Sequence, residues 1–171
     1  RAPRRHAGMP SRLAAQFESA VQIPDDVSAL SALIVPLAEW ESVPEPLRPK
    51  TWLALPRLLF GEQETRAART LETVKDKGFA GCFVQNLSHV HLCRGLPMFG
   101  GFGLNAANSG AVETLRDKGV STVTLSVETT LAQQETIAPP GVRTAVVCYG
   151  HMPLMLTRAC PLRNVRSCAG C

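Results

Sequence analysis

Five short and nearly continuous apolar runs constrain this chain more than any other feature: Ala32–Leu37, Trp52–Pro56, Phe79–Val84, Val120–Val127 and Thr144–Tyr149. A strand with one wet face alternates apolar and polar residues, whereas a strand covered on both faces reads as an unbroken run. Met98–Leu104 is a weaker, Gly-rich sixth run. Helical stretches lie between several of the runs. Residues 62–77 put Ala67, Leu71 and Val74 on one face, with Gly78 just past the end. Residues 109–118 begin at Asn108 or Ser109 as N-cap, put Val112 and Leu115 on one side, and stop at Gly119. Both stretches end in nearly the same words, Lys75-Asp-Lys-Gly-Phe and Arg116-Asp-Lys-Gly-Val, and each leads straight into an apolar run. Repeated helix–Gly–strand units point to βα repeats around a parallel sheet. The expected fold is therefore α/β, a parallel TIM-like (β/α) barrel. Six strands do not close an eight-stranded barrel. An incomplete barrel of about six βα units, from its second part, is expected, or else an open sheet.

The runs divide the chain into a connecting arm over residues 1–27, a partial barrel over 28–157 and a cysteine-rich segment over 158–171. The arm is expected to hold a short helix around Arg12–Ser19. The chain starts on Arg1 and ends on Cys171 inside a motif, so both ends are expected to be cut. A piece cut in this way should be inactive alone and should self-associate through exposed barrel edges.

With 45% hydrophobic and 19% charged residues, the chain can bury a core, which argues against disorder. No apolar run approaches the ~20 residues of a membrane helix, and no apolar stretch follows the basic start Arg1-Ala-Pro-Arg-Arg as a secretory signal would require. The six cysteines then read as reduced thiols of a cytoplasmic protein rather than a disulfide framework. The net charge of +4 is unevenly placed. Residues 136–171 carry Arg143, Arg158, Arg163 and Arg166 and no acid, which suits an anionic partner such as RNA or a thiolate-ligated cluster.

The sharpest chemical signal is Cys160-Pro-Leu-Arg-Asn-Val-Arg-Ser-Cys168-Ala-Gly-Cys171. Three thiols in one short loop, the last two in a C-x-x-C knuckle, suit a soft metal or an iron–sulfur centre. Arg158, Arg163 and Arg166 favour the thiolate form. A fourth ligand would come from His151 or from beyond Cys171. Cys82, Cys93 and Cys148 lie in apolar or helical surroundings and read as buried core thiols. His89 and His91 are two apart, a spacing that points them in different directions on a helix, so they read as surface or packing histidines.

In a parallel barrel the residues just past the C-terminal ends of the strands line the active site. That rule selects Asn86, Asn105, Glu128, Tyr149 and His151, with Asn108 as a plain helix cap. Glu128 is placed to act as a general base or to hold a hydroxyl. Gly100-Gly-Phe-Gly brings backbone close to something, but without the strand–turn–helix setting of a dinucleotide site.

The stretches Gly78-Phe-Ala-Gly-Cys-Phe-Val-Gln-Asn-Leu, Gly100 to Ser109, Val123 to Gln133 and, most specifically, Tyr149-Gly-His-Met-Pro-Leu-Met-Leu-Thr-Arg-Ala-Cys-Pro161 resemble the collagenase-like peptidases, family U thirty-two. The likeness covers roughly residues 27–171 and implies part of a TIM-like barrel followed by a cysteine-rich insertion. It implies a nominal protease, yet neither a Ser–His–Asp order nor H-E-x-x-H stands out. Relatives hydroxylate RNA bases or quinone precursors, some through a [4Fe–4S] cluster. By position the resemblance implies Cys160, Cys168 and Cys171 as cluster ligands. Asn105, Glu128 and His151 would face the reacting group, and Asn86, Tyr149 and Arg158 would bind substrate. His151 stands where relatives commonly carry Arg. The expected activity is Fe–S-dependent hydroxylation of an RNA base. The alternatives are a genuine protease on collagen-like or unfolded peptide, and a zinc-stapled RNA-binding module without catalysis.

Overall fold

A computed structural model of the chain describes residues 11–137, 139–153, 155–157, 160, 162 and 165. Seven strands form one sheet in the order β1 to β7, and every neighbouring pair is parallel. They are β1 (Leu13–Gln16), β2 (Leu30–Pro36), β3 (Thr51–Ala54), β4 (Gly81–Val84), β5 (Met98–Gly100), β6 (Val120–Thr124) and β7 (Arg143–Ala145). The sheet curls into a half-barrel. Among the described residues β1 and β7 each have one strand neighbour.

Among the described residues four α-helices lie between the strands: α1 (Glu62–Val74), α2 (Leu87–Leu92), α3 (Ser109–Asp117) and α4 (Leu131–Thr136). Two expected caps are in place: Asn108 accepts the Ala111 N–H at 2.9 Å to start α3, and Gly119 takes φ of +92° directly past its end. The helix expected over residues 62–77 instead ends at Val74 with Lys75 as its C-cap, and Gly78, with φ of +79°, lies in the turn beyond. The apolar stripe Ala67, Leu71 and Val74 of α1 and the pair Val112 and Leu115 of α3 are buried against one face of the sheet. That face carries Leu53, Leu55, Cys82, Val84, Met98, Val120 and Val123. Burial of Val112 and Leu115 removes apolar surface worth about 1.5–3 kcal/mol each. The opposite face carries a second cluster, Ile34, Ala54, Phe83 and Phe99, with Trp52 and Ala145 packed on it. There Phe99 meets Trp52 and Phe83 edge to face, with centroids 5.6 and 5.3 Å apart. Both faces are thus apolar, which is why the strands read as continuous runs.

The expectations differ from the structure at the two ends. The helix expected around Arg12–Ser19 is instead strand β1, registered Leu13 to Leu30 and Gln16 to Ile34 along β2, followed by a 3-10 turn over Ala20–Gln22. The exposed edge of β2 offers backbone partners that outweigh the weak helical pattern of Leu-Ala-Ala-Gln. Glu39 ties this segment down by accepting from Ser19 Oγ at 2.9 Å and from the Ala20 N–H. At the other end, β7 stops at Ala145, so the apolar Val146, Val147 and Tyr149 lie exposed outside the sheet. Cys148 is consequently exposed rather than buried, because no strand carries it inside.

Candidate functional site at the C-terminal ends of the strands

Parallel strands bring all their C-terminal ends to one edge of the sheet, and the segments following β3, β4, β5 and β6 meet there. Gln85 and Asn86 follow β4 directly. Asn86 starts α2, and its Oδ1 accepts from the Ser88 and His89 N–H groups at 2.9 and 3.2 Å. Its Nδ2 donates to the Arg57 carbonyl at 2.6 Å, clamping the segment after β3 to the end of β4. Asn86 is therefore a brace between two strand ends as well as a cap.

His89 completes that brace. It is fully buried, and its Nδ1 accepts the Gln85 N–H at 3.2 Å. Its Nε2 stands 3.0 Å from Asn86 Nδ2, with the roles of donor and acceptor set by the ring tautomer, and the Pro56 backbone also bonds the ring. Burial pushes the imidazole below its ordinary value of 6.5, against the smaller pull of the Pro56 carbonyl. The unfolded ring takes up a proton as the pH falls below 6.5, while the folded ring resists it. The unfolded state then binds more protons, and stability falls with pH in that range by at most about 1.4 kcal/mol per unit. Above that range the ring is neutral in both states. Urea midpoints of the wild type should drop between pH 7.5 and pH 5.5 more steeply than those of His89→Gln. Parallel curves would mean that the buried ring protonates at its ordinary value.

After β5, a 3-10 turn over Phe102–Leu104 leads to Asn105, whose φ of +49° is the one positive value for a non-glycine among the described residues. Asn tolerates this conformation better than most residues, and such strain concentrates at functional positions. Asn105 Oδ1 accepts from Ser126 Oγ at 2.6 Å. Ser126, buried past the end of β6, also accepts the Glu128 N–H at 3.3 Å and takes Thr129 Oγ1 on its carbonyl at 2.6 Å. One hydroxyl therefore fixes Asn105 and the turn that presents Glu128, whose side chain is exposed.

Arg57 lies with its guanidinium 5.2 Å from the Phe102 ring centroid and forms no ion pair among the described residues. The strand-end rule did not single out Ser126, Arg57 or the buried His89. Gln85, the first polar residue after Val84, was passed over for its neighbour Asn86. Its parity with Phe83 places it on the helix-free face, whereas Asn86 serves the helix cap.

The other expected residues stand apart from this cluster. Tyr149 is 96% exposed and His151 is exposed, both beyond β7. Cys160 is exposed with a free thiol. Arg158, Cys168 and Cys171 lie outside the described residues. No group of three His, Cys, Asp or Glu side chains placed to hold a metal occurs among the described residues.

Fold and site together define an α/β protein with an all-parallel sheet and a polar cluster at its C-terminal edge. No family model, curated protein or solved structure matches the chain.

Proposed function

We propose that the chain is a large part of a TIM-like (β/α)-barrel enzyme of the collagenase-like peptidase type, family U thirty-two, and that it hydroxylates an RNA base with the help of an iron–sulfur cluster. The observation that carries the enzyme reading is the cluster at the C-terminal strand ends, where barrel enzymes keep their chemistry. Seven parallel strands in sequential order match a barrel over that part of its circumference. Asn105 and Glu128, brought to one edge by Ser126, are the groups offered to a substrate there. Asn105 supplies an amide and Glu128 a solvent-exposed carboxylate able to take or return a proton.

For the cofactor, the donor chemistry fits. Cys160 presents a free, exposed thiol, and Cys168 and Cys171 complete a three-thiol set in an Arg-rich, acid-free segment. When bound, a [4Fe–4S] cluster would supply electron transfer. Arg158 and the neighbouring arginines would attract the anionic RNA backbone.

Metal and sulfide analysis of anaerobically purified whole protein tests this reading. A brown sample with iron and acid-labile sulfide is the expected result. A colourless sample with stoichiometric zinc would favour the RNA-binding module, and metal-free protein that cleaves unfolded collagen would favour the protease.

A further inference from the structure

We infer that Gln85 is a specificity residue of the strand-end site, and that its side-chain oxygen accepts a ring N–H from the substrate base. The inference rests on the proposed RNA-base reading. Gln85 follows β4 and is only 7% exposed, and its Oε1 is enclosed without a hydrogen-bond partner among the described residues. A buried amide oxygen left unpaired is costly, and sequences seldom keep one without a use. Nothing in the fold requires an amide there. The backbone N–H of Gln85 already serves His89, and the bracing of the β3 and β4 ends is done by Asn86.

The Gly-rich turn after β5 explains how Gln85 fits. A Cβ on Gly101 would stand 3.2 Å from Gln85 Cγ and 2.6 Å from the Phe83 ring. A Cβ on Gly103 would stand 2.4 Å from the Gln85 carbonyl oxygen. Gly101 and Gly103 therefore leave room for the end of β4. The half-buried Phe102 between them, with Arg57 over its ring, adds an aromatic surface at the same strand ends. The terminal torsion of a glutamine is broad, so the amide can turn its oxygen toward a substrate while its aliphatic stem stays packed.

An acceptor selects for a donor. Uracil carries a ring N–H at N3, and a methyl group there removes it without changing the charge. Uridine and 3-methyluridine are therefore the probes, with binding to the whole protein followed by NMR titration. The wild type should bind uridine about tenfold more tightly than 3-methyluridine. Gln85→Leu should bind the two alike, and its melting temperature should equal or exceed that of the wild type, since an unpaired buried amide has been replaced by an apolar group of similar size. Equal binding of both nucleosides to the wild type would overturn the role of Gln85 while leaving the RNA reading intact. No binding of either would overturn the RNA-base reading and this inference with it. A markedly lower melting temperature for Gln85→Leu would show that the amide is a structural group, and would also overturn the inference.

Discussion

Gly81→Ala is expected to destabilise the protein by on the order of 3 kcal/mol or more, enough to cost a small domain much of its stability. Gly81 opens β4 with φ of +147°, a value that side-chain-bearing residues rarely adopt. A Cβ there would stand 2.2 Å from the Pro97 carbonyl oxygen and 2.9 Å from its Cβ, so backbone must move. That same carbonyl accepts the Cys82 N–H at 2.9 Å, at the point where Cys82 registers with Met98 across β4 and β5. Pushing the two segments apart therefore breaks the pairing at the centre of the sheet. Gly95→Ala makes the control, because Gly95 also has a positive φ, +88°, but nothing within 4 Å of the added atom. It should cost about 1 kcal/mol from conformation alone. Urea unfolding of both variants checks the pair, and equal midpoints would mean that the approach of Gly81 to Pro97 does not matter.

The second large effect concerns the cysteines. In the whole protein Cys160→Ser or Cys168→Ser should abolish bound iron and labile sulfide, while Cys82→Ser should leave them unchanged and lower stability by ~1–3 kcal/mol. Cys160 is exposed with a free thiol, in a segment rich in arginine. Cys82 is buried in β4 against Cys93 at the end of α2, and the Cys93 thiol is pushed strongly upward, first by its hydrogen bond to Cys82 and then by burial. Buried in the sheet core, Cys82 presents almost no sulfur surface to a metal. Iron and sulfide analysis of each purified variant is the test. Full iron in both loop variants would remove these cysteines from the ligand set, and the Fe–S proposal with them.

Taken alone, the sequence determined the class of the fold and the contents of its core. Continuous apolar runs mean two covered faces, and a parallel sheet carrying helices on one face and a Trp52–Phe83–Phe99 cluster on the other meets that demand. The caps Asn108 and Gly119 were legible because capping is a local matter of one side chain or one φ angle, whereas α1 stops at Val74, short of Gly78. Strand β1 was not legible. Leu13–Gln16 is short and carries no pattern of its own, and it becomes a strand only because β2 offers an open edge. Cys148 was misplaced for the converse reason: its apolar neighbours Val146 and Val147 look like strand, but β7 ends before them. At the candidate site, the rule of strand ends selected Asn86, Asn105 and Glu128 from sequence, and all three lie just past strand ends in the structure. The Ser126 hydroxyl on Asn105, the buried His89 between two strands and the unpaired oxygen of Gln85 were decided only by tertiary structure. Each depends on distances between segments far apart in the chain or on what encloses an atom, and neither is encoded in local spacing.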